Sequence, residues 1–214
     1  MPRLSIATAA PVAPRALCLG LALAHGPAGA DALGGLDGRS ADPANLPPLS
    51  AEISWVADND VAVLGVRVNR RLGAAVVGFL TGGLTEFDES GAEGYLFGAG
   101  LYYHFARQRL STAIDLALKP SVGYQSAEGN GVEIDGYVAA VEFLVSGDTG
   151  LPVNWYSNIG IEYSYIDTST RGDDGDVDGI LGGGVFAPVG PGQIYTGFDY
   201  SGEFGIGAGY RLLF

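Results

Sequence analysis

If the first thirty residues are set aside, His104 is the chain's remaining histidine, so any acid–base or nucleophilic chemistry would turn on it. A general base must reach its proton directly or through one water. His104 closes the run "EGYLFGAGLYYHF", on the face that also carries Leu96, Gly98, Gly100 and Tyr102. A second candidate is "DGDVDG", in which Asp174, Asp176 and Asp178 with Gly179 reproduce the first six positions of a calcium loop. The position that needs a bidentate Glu is Val185, so the expectation is a solvated acidic loop, with weak Ca²⁺ or Mg²⁺ binding as the sharper alternative and no other cofactor. "RGD" at 171–173 is too short to carry weight. The third set is a series of charges of both signs: Arg67, Asp115, Lys119, Glu142, Glu162 and Arg211, with Glu52, Asp199 and Glu203 in comparable positions.

The elements that must position these groups have a period of two. In "LSTAIDLALKPSVGY" one face is Leu110, Thr112, Ile114, Leu116, Leu118, Pro120, Val122 and Tyr124, and the other carries Ser111, Asp115 and Lys119. "VNWYSNIGIEYSY" sets Val153, Trp155, Ile159, Ile161, Tyr163 and Tyr165 against Asn154, Asn158, Glu162 and Ser164. Such alternation marks strands with unlike environments on their two sides. Aromatic residues recur toward the ends of the apolar faces, as in interfacial girdles.

Composition agrees. The chain of 214 residues has 35 glycines, 20 Tyr and Phe together, and a net charge of −13. Glycine disfavours helix interiors, which argues against a helical bundle. A mean hydropathy of +0.22 beside such acidity means apolar surface and charge are segregated. The acidity also excludes a nucleic-acid partner, which needs basic patches. Residues 1–30 read as an export signal: Arg3 and Arg15, the apolar core "ALCLGLALA", then "HGPAGA" with cleavage near Ala30. Cys18 lies inside it, preceded by Arg15, Ala16 and Leu17 rather than by the small residues of a lipoprotein signal. Without Arg3 and Arg15 the charge falls from −13 to −15. Residues 31–48 read as a flexible lead-in, and 49–214 as the folded domain.

The expected fold is all-β: a transmembrane up-and-down antiparallel barrel of ten strands, at 49–57, 61–69, 72–80, 94–105, 110–125, 132–145, 153–167, 180–187, 193–200 and 203–214. If 180–200 is one long loop, the count is eight. Both are even, as a barrel with both ends in the periplasm requires. A soluble sandwich or lipocalin-like barrel would share the alternation. Against it stand polar faces rich in Gly and nearly empty of Lys, and strands of about ten residues, the length a tilted membrane strand needs. With Phe214 in the periplasm, acids (Asp58, Asp60, Glu86, Asp88, Glu89, Glu93, Glu128 and 173–178) gather in the outer loops. The turns at Arg70–Arg71 and "ARQR" fall on the other rim. His104 then sits at the periplasmic end, the wrong side for chemistry on outer-leaflet lipid.

The last run, "FGIGAGYRLLF", resembles the closing strand of bacterial outer-membrane β-barrels. The resemblance implies that Phe214, Leu212, Tyr210 and Ile206 form a signal read by the barrel assembly machinery. A second likeness, to the YfaZ-like family of small outer-membrane proteins, covers roughly Trp55 to Phe186. It runs through "SWVADNDVAVLGVRVNRRLG", "EGYLFGAGLYYHF" and the acidic stretch before "ILGGG". From Pro188 onward the chain departs from it, and that family brings no assigned activity. The expectation is a monomeric outer-membrane barrel in contact with lipid, with a structural or surface-interaction role and no catalysis. A narrow, weakly cation-selective pore is the alternative. Charges of both signs along one narrow interior are expected to pair, and the inward glycines to leave room for water.

Overall fold

The computed structural model describes residues 47–58, 61–87, 91–104, 114–129, 131–169 and 172–214. The export signal, the Ala30 cleavage site and the lead-in to residue 46 lie outside these residues. Ten strands follow one another: β1 (Leu49–Ala57), β2 (Val61–Arg71), β3 (Val76–Phe87), β4 (Ala92–His104), β5 (Ile114–Gly129), β6 (Val132–Asp148), β7 (Asn154–Thr168), β8 (Gly172–Val189), β9 (Gly192–Ser201) and β10 (Glu203–Leu213). Each pairs antiparallel with its neighbours, and β1 pairs with β10 to close the barrel, from Ser50↔Leu213 to Ala57↔Ile206. The count is therefore ten. Residues 180–200 are not one loop, because the chain reverses at Gly190 and Pro191 and Val189 pairs with Gly192. Gly190 (φ 58°) and Gly202 (φ 79°) take the left-handed backbone these two tight reversals need.

Two boundaries differ instructively from the sequence reading. β3 starts at Val76 rather than at residue 72, since Leu72 and Gly73 both donate backbone N–H bonds to Val76 O and form the turn. β8 starts at Gly172, eight residues before the expected strand, and pairs with β7 through Asp167↔Asp173 and Glu162↔Asp178. The stretch 172–178 is thus strand rather than loop. Near the rim the outer face of the sheet is polar, so the period-two apolar signal fades while the backbone ladder continues. Glu86, Glu93 and Glu128 lie on strands for the same reason. The turn between β4 and β5, with "ARQR", lies outside the described residues.

Every strand turns alternate residues inward. Outward stand Ile53, Trp55, Leu64, Val66, Leu80, Leu84, Phe97, Val122, Ile159, Ile161, Phe204 and Ile206, all exposed. This is an apolar belt rather than a core. On β4–β6 it is bordered by rings in succession: Phe97–Tyr95 at 5.5 Å, Tyr95–Tyr124 at 6.4 Å and Tyr124–Tyr137 at 5.1 Å. One step beyond the rings comes a row of acids opposite one another, Glu86↔Glu93, Glu93↔Glu128 and Glu128↔Glu133. Tyr124 Oη joins the two zones by donating to Asp135 Oδ1. Apolar band, aromatic border and charged rim succeed one another as in transmembrane barrels. Arg70 and Arg71 end β2 at the opposite rim, although Asp148 shares that rim with them.

Candidate functional site

The inward residues fill the lumen. Three buried apolar clusters lie within it among the described residues: Val77, Phe79, Tyr102, Ala117 and Leu144, from β3 to β6; Val56, Tyr156, Phe186 and Tyr195, from β1 across to β7–β9; and Ala140 with Ile180. Glycines make room for the large rings. A Cβ on Gly100 would lie 2.4 Å from Phe79 Cζ, and one on Gly209 would lie 2.3 Å from Tyr195 Cζ. The space at these two inward glycines is therefore occupied by rings from the neighbouring strands rather than left for water.

The same inward face carries the charges. Arg67, Asp115, Lys119, Glu142, Glu162 and Arg211 are all buried, as are Glu52, Asp199 and His104, whereas Glu203 is half-buried. The six fall into separate groups rather than one network. Arg211 on β10 meets Glu52 on β1, Nε to Oε1 at 3.0 Å and Nη2 to Oε2 at 3.1 Å, a two-point contact across the seam that closes the barrel. Tyr195 Oη donates to Glu52 Oε2 at 3.2 Å, Asn69 Nδ2 donates to Oε1, and Arg211 Nη1 donates to Gln193 Oε1 at 3.2 Å. The Arg211 guanidinium also lies 5.4 Å from the centre of the Tyr195 ring. Arg67, the β2 partner of Glu52, turns to aromatic residues, with Nη1 donating to Tyr102 Oη at 3.1 Å and its guanidinium 4.9 Å from the Phe79 ring centre.

Further round the barrel, Lys119 Nζ pairs with Glu142 Oε1 at 2.6 Å, and Asn158 Nδ2 donates to Glu142 Oε2 at 2.8 Å. Glu162 is only 2% exposed and its Oε2 has no hydrogen-bond partner among the described residues. Asp115 stands opposite Ser146 at the start of β5. The sequence named Glu52 as inward but left it out of the paired set, because its role depends on β1 meeting β10. Asn158, Tyr195 and Gln193 were not singled out; their only signal was their place on the inward face.

The remaining expected positions can be placed as follows. Asp174, Asp176 and Asp178 share the even-numbered face of β8, opposite Ile166, Ser164 and Glu162. Asp176 and Asp178 are spaced two apart on an extended strand, about 6.6 Å, rather than on the turn of a calcium loop. Among the described residues no group of three His, Cys, Asp or Glu is placed to hold a metal directly. His104 lies buried at the end of β4, its ring stacked on Tyr102 with centres 6.4 Å apart, and its backbone N–H donates to Ala75 O. Leu212, Tyr210 and Ile206 point outward along β10, Tyr210 Oη donates to Val189 O, and Phe214 is exposed with its N–H bonded to Leu49 O at 3.0 Å.

No family model and no curated protein matches the chain. Solved structures similar to it include a loop L8 deletion mutant of OmpT, an outer membrane protein of Vibrio cholerae, at 13% identity and a TM-score of 0.35, with 75% of this chain and 62% of that one covered. The KdgM porin matches at 10% identity and a TM-score of 0.36, over 77% and 99% of the two chains. Neisserial surface protein A matches at 14% identity and a TM-score of 0.36, over 78% and 94%. The chain thus spans 62% of the length of the first of these, and the likeness concerns the barrel architecture alone.

Proposed function

We propose that the protein is a small bacterial outer-membrane β-barrel with a structural or surface-interaction role, neither a catalyst nor an open channel. The observation that carries this reading is the filled lumen. One apolar cluster joins β1 to β7–β9, another spans β3 to β6, and charges on the same inward face are engaged, Arg211 with Glu52 and Lys119 with Glu142. Barrels of about this size are just wide enough for side chains to fill. The outward apolar belt, its aromatic border and the acidic rim support a place in a membrane, and the terminal strand supports delivery by the assembly machinery. His104, stacked on Tyr102 at the rim opposite the acids, supports the absence of catalysis. The YfaZ-like resemblance belongs to the same proposal and adds no activity to it.

Planar-bilayer recording with purified, refolded protein tests this. Absent or small conductance steps, enlarged by Arg211→Ala, are expected. Large, stable steps would replace it with the second reading, a cation-preferring pore, which the excess of acids on the inward face favours. Fractionation tests location: the expected result is outer-membrane protein whose gel migration changes on boiling, and recovery as a soluble periplasmic species would refute the membrane reading.

A further inference from the structure

We propose that the outer surface of β1–β4 carries a docking cleft for one lipid whose headgroup ends in a primary ammonium. The proposal deepens the surface-interaction role given above and rests on the membrane reading, from which the test separates it.

Two rows of outward residues cross these strands in register. On the belt side Trp55 pairs with Leu64, Leu64 with Leu84 and Leu84 with Tyr95. One step nearer the rim, Ala57 pairs with Ala62, Ala62 with Glu86 and Glu86 with Glu93. The methyl group of Ala62 is too short to fill the space between Trp55 and Glu86. A cleft of about 320 Å³ opens there, lined by Trp55, Leu64 and Leu84 with the carboxylates of Glu86 and Glu93. The lining is therefore apolar toward the belt and anionic toward the rim.

Charge complementarity selects the head of the occupant. Glu86 and Glu93 stand directly opposite each other on the ladder, a placement of like charges that destabilises a sheet unless a cation offsets it. The acidic row continues through Glu128 and Glu133, and neither row on β1–β4 contains a Lys or Arg. Asp58, in the adjoining β1–β2 turn, adds another acid, and its Oδ1 accepts from Val61 N–H. A primary ammonium has three N–H donors, enough to serve both carboxylates through charge-assisted bonds.

The apolar wall selects the rest of the occupant. A bare ion would leave Trp55, Leu64 and Leu84 uncovered, whereas an aliphatic chain can lie along them. The next outward row toward the belt is Ile53, Val66, Gly82 and Phe97, in which Gly82 leaves a dip between Val66 and Phe97. A chain that leaves the cleft over Leu64 and Leu84 enters that dip. Trp55 and Tyr95 mark the level of the headgroups, as aromatic residues do at both membrane interfaces. Anionic end, aromatic level and apolar track thus follow one another as the parts of a lipid do.

The test uses purified, refolded protein in neutral detergent. The probe is lysophosphatidylethanolamine, and lysophosphatidylglycerol of the same chain length is the control without an ammonium. Native mass spectrometry counts retained lipid. Trp155→Phe leaves Trp55 as the one tryptophan, so its fluorescence reads the cleft. Wild type should retain one ethanolamine lipid roughly tenfold more tightly than the glycerol lipid, with a shift of Trp55 emission. Glu86→Gln/Glu93→Gln should bring the two lipids to within about twofold of each other. Ala62→Leu, which fills the cleft without altering charge, should weaken retention of the ethanolamine lipid roughly tenfold. Glu133→Gln, on the same acidic row but two strands away, should leave the preference unchanged. Equal retention of both lipids by wild type overturns the proposal whether or not a variant refolds. So does a preference that survives Glu86→Gln/Glu93→Gln. So does saturation of the Trp55 shift by free ethanolamine at the same concentration, which would make the site one for the head alone. Recovery as a soluble periplasmic species refutes the membrane reading, whereas an embedded barrel without the preference refutes this proposal only.

Discussion

Tyr195 lies directly opposite Gly209 on the neighbouring strand, and its ring covers the place where a side chain of residue 209 would stand. The same ring bears the hydroxyl that donates to Glu52 and the face on which Arg211 rests. A glycine on β10 therefore sets the position of the ion pair that bridges β10 and β1. Gly209→Ala would force the ring away, an overpacking that costs about 1–3 kcal/mol. Gly179→Ala is the contrast: nothing lies within 4 Å of a Cβ there, so no loss is expected. Urea unfolding of the refolded variants compares the two, and equal stability would show that the Tyr195 ring can relax without cost.

The pair Lys119–Glu142 is almost fully removed from solvent. Lys119→Met would leave a buried carboxylate held by Asn158 alone, a change that costs about 3–5 kcal/mol when one partner of such a pair is removed. The double variant Lys119→Met/Glu142→Gln, which removes the charge as well, should recover most of that loss. A double-mutant cycle by equilibrium unfolding reads the coupling. Strictly additive effects would mean the two charges do not stabilise each other.

Adjacent residues on β7 test the faces. Tyr163 is 49% exposed on the outer surface, and Ser164 is 3% exposed on the inner one. Tyr163→Lys, like Leu116→Arg on β5, would place a charge in the belt, at about 2–4 kcal/mol near a bilayer midplane. Ser164→Lys would point an ammonium inward beside Glu162 and opposite Asp176, and should cost much less. Folding into lipid vesicles distinguishes them. Equal losses at 163 and 164 would be incompatible with a lipid-facing belt.

The alternation of Leu116 with Lys119, or of Tyr163 with Glu162, was enough to give the strands and their faces, because inside and outside differ sharply in polarity along the middle of each strand. The ends were less legible. Past Tyr124 and Tyr137 the residues on the outer face turn acidic, the contrast disappears, and β8 continues to Gly172 along its ladder with β7. The ion pairs were legible only in part. Lys119 and Glu142 lie on one hairpin, so their meeting follows from a local register. Glu52 and Arg211 are 159 residues apart, and only closure brings them together.

The C-terminal residue separates folding from delivery. Phe214 is 64% exposed and its N–H bonds Leu49 O, beyond the last ladder pair of β10 with β1. It adds one backbone bond at the seam and no buried side chain, so its contribution to the stability of the finished barrel should be small, about 0.5–1.5 kcal/mol at most. A residue that contributes little to the barrel yet ends an outward row of Tyr210 and Leu212 suits a contact made before the barrel closes. Deleting Phe214, or replacing it with Ser, should leave spontaneous folding into pure lipid nearly unchanged while slowing insertion in cells severalfold. Pulse-chase of heat-resistant barrel formation in cells, beside refolding kinetics in vesicles, gives both rates. If both fall together, Phe214 acts through the strand pairing itself; if neither falls, it is not an assembly signal.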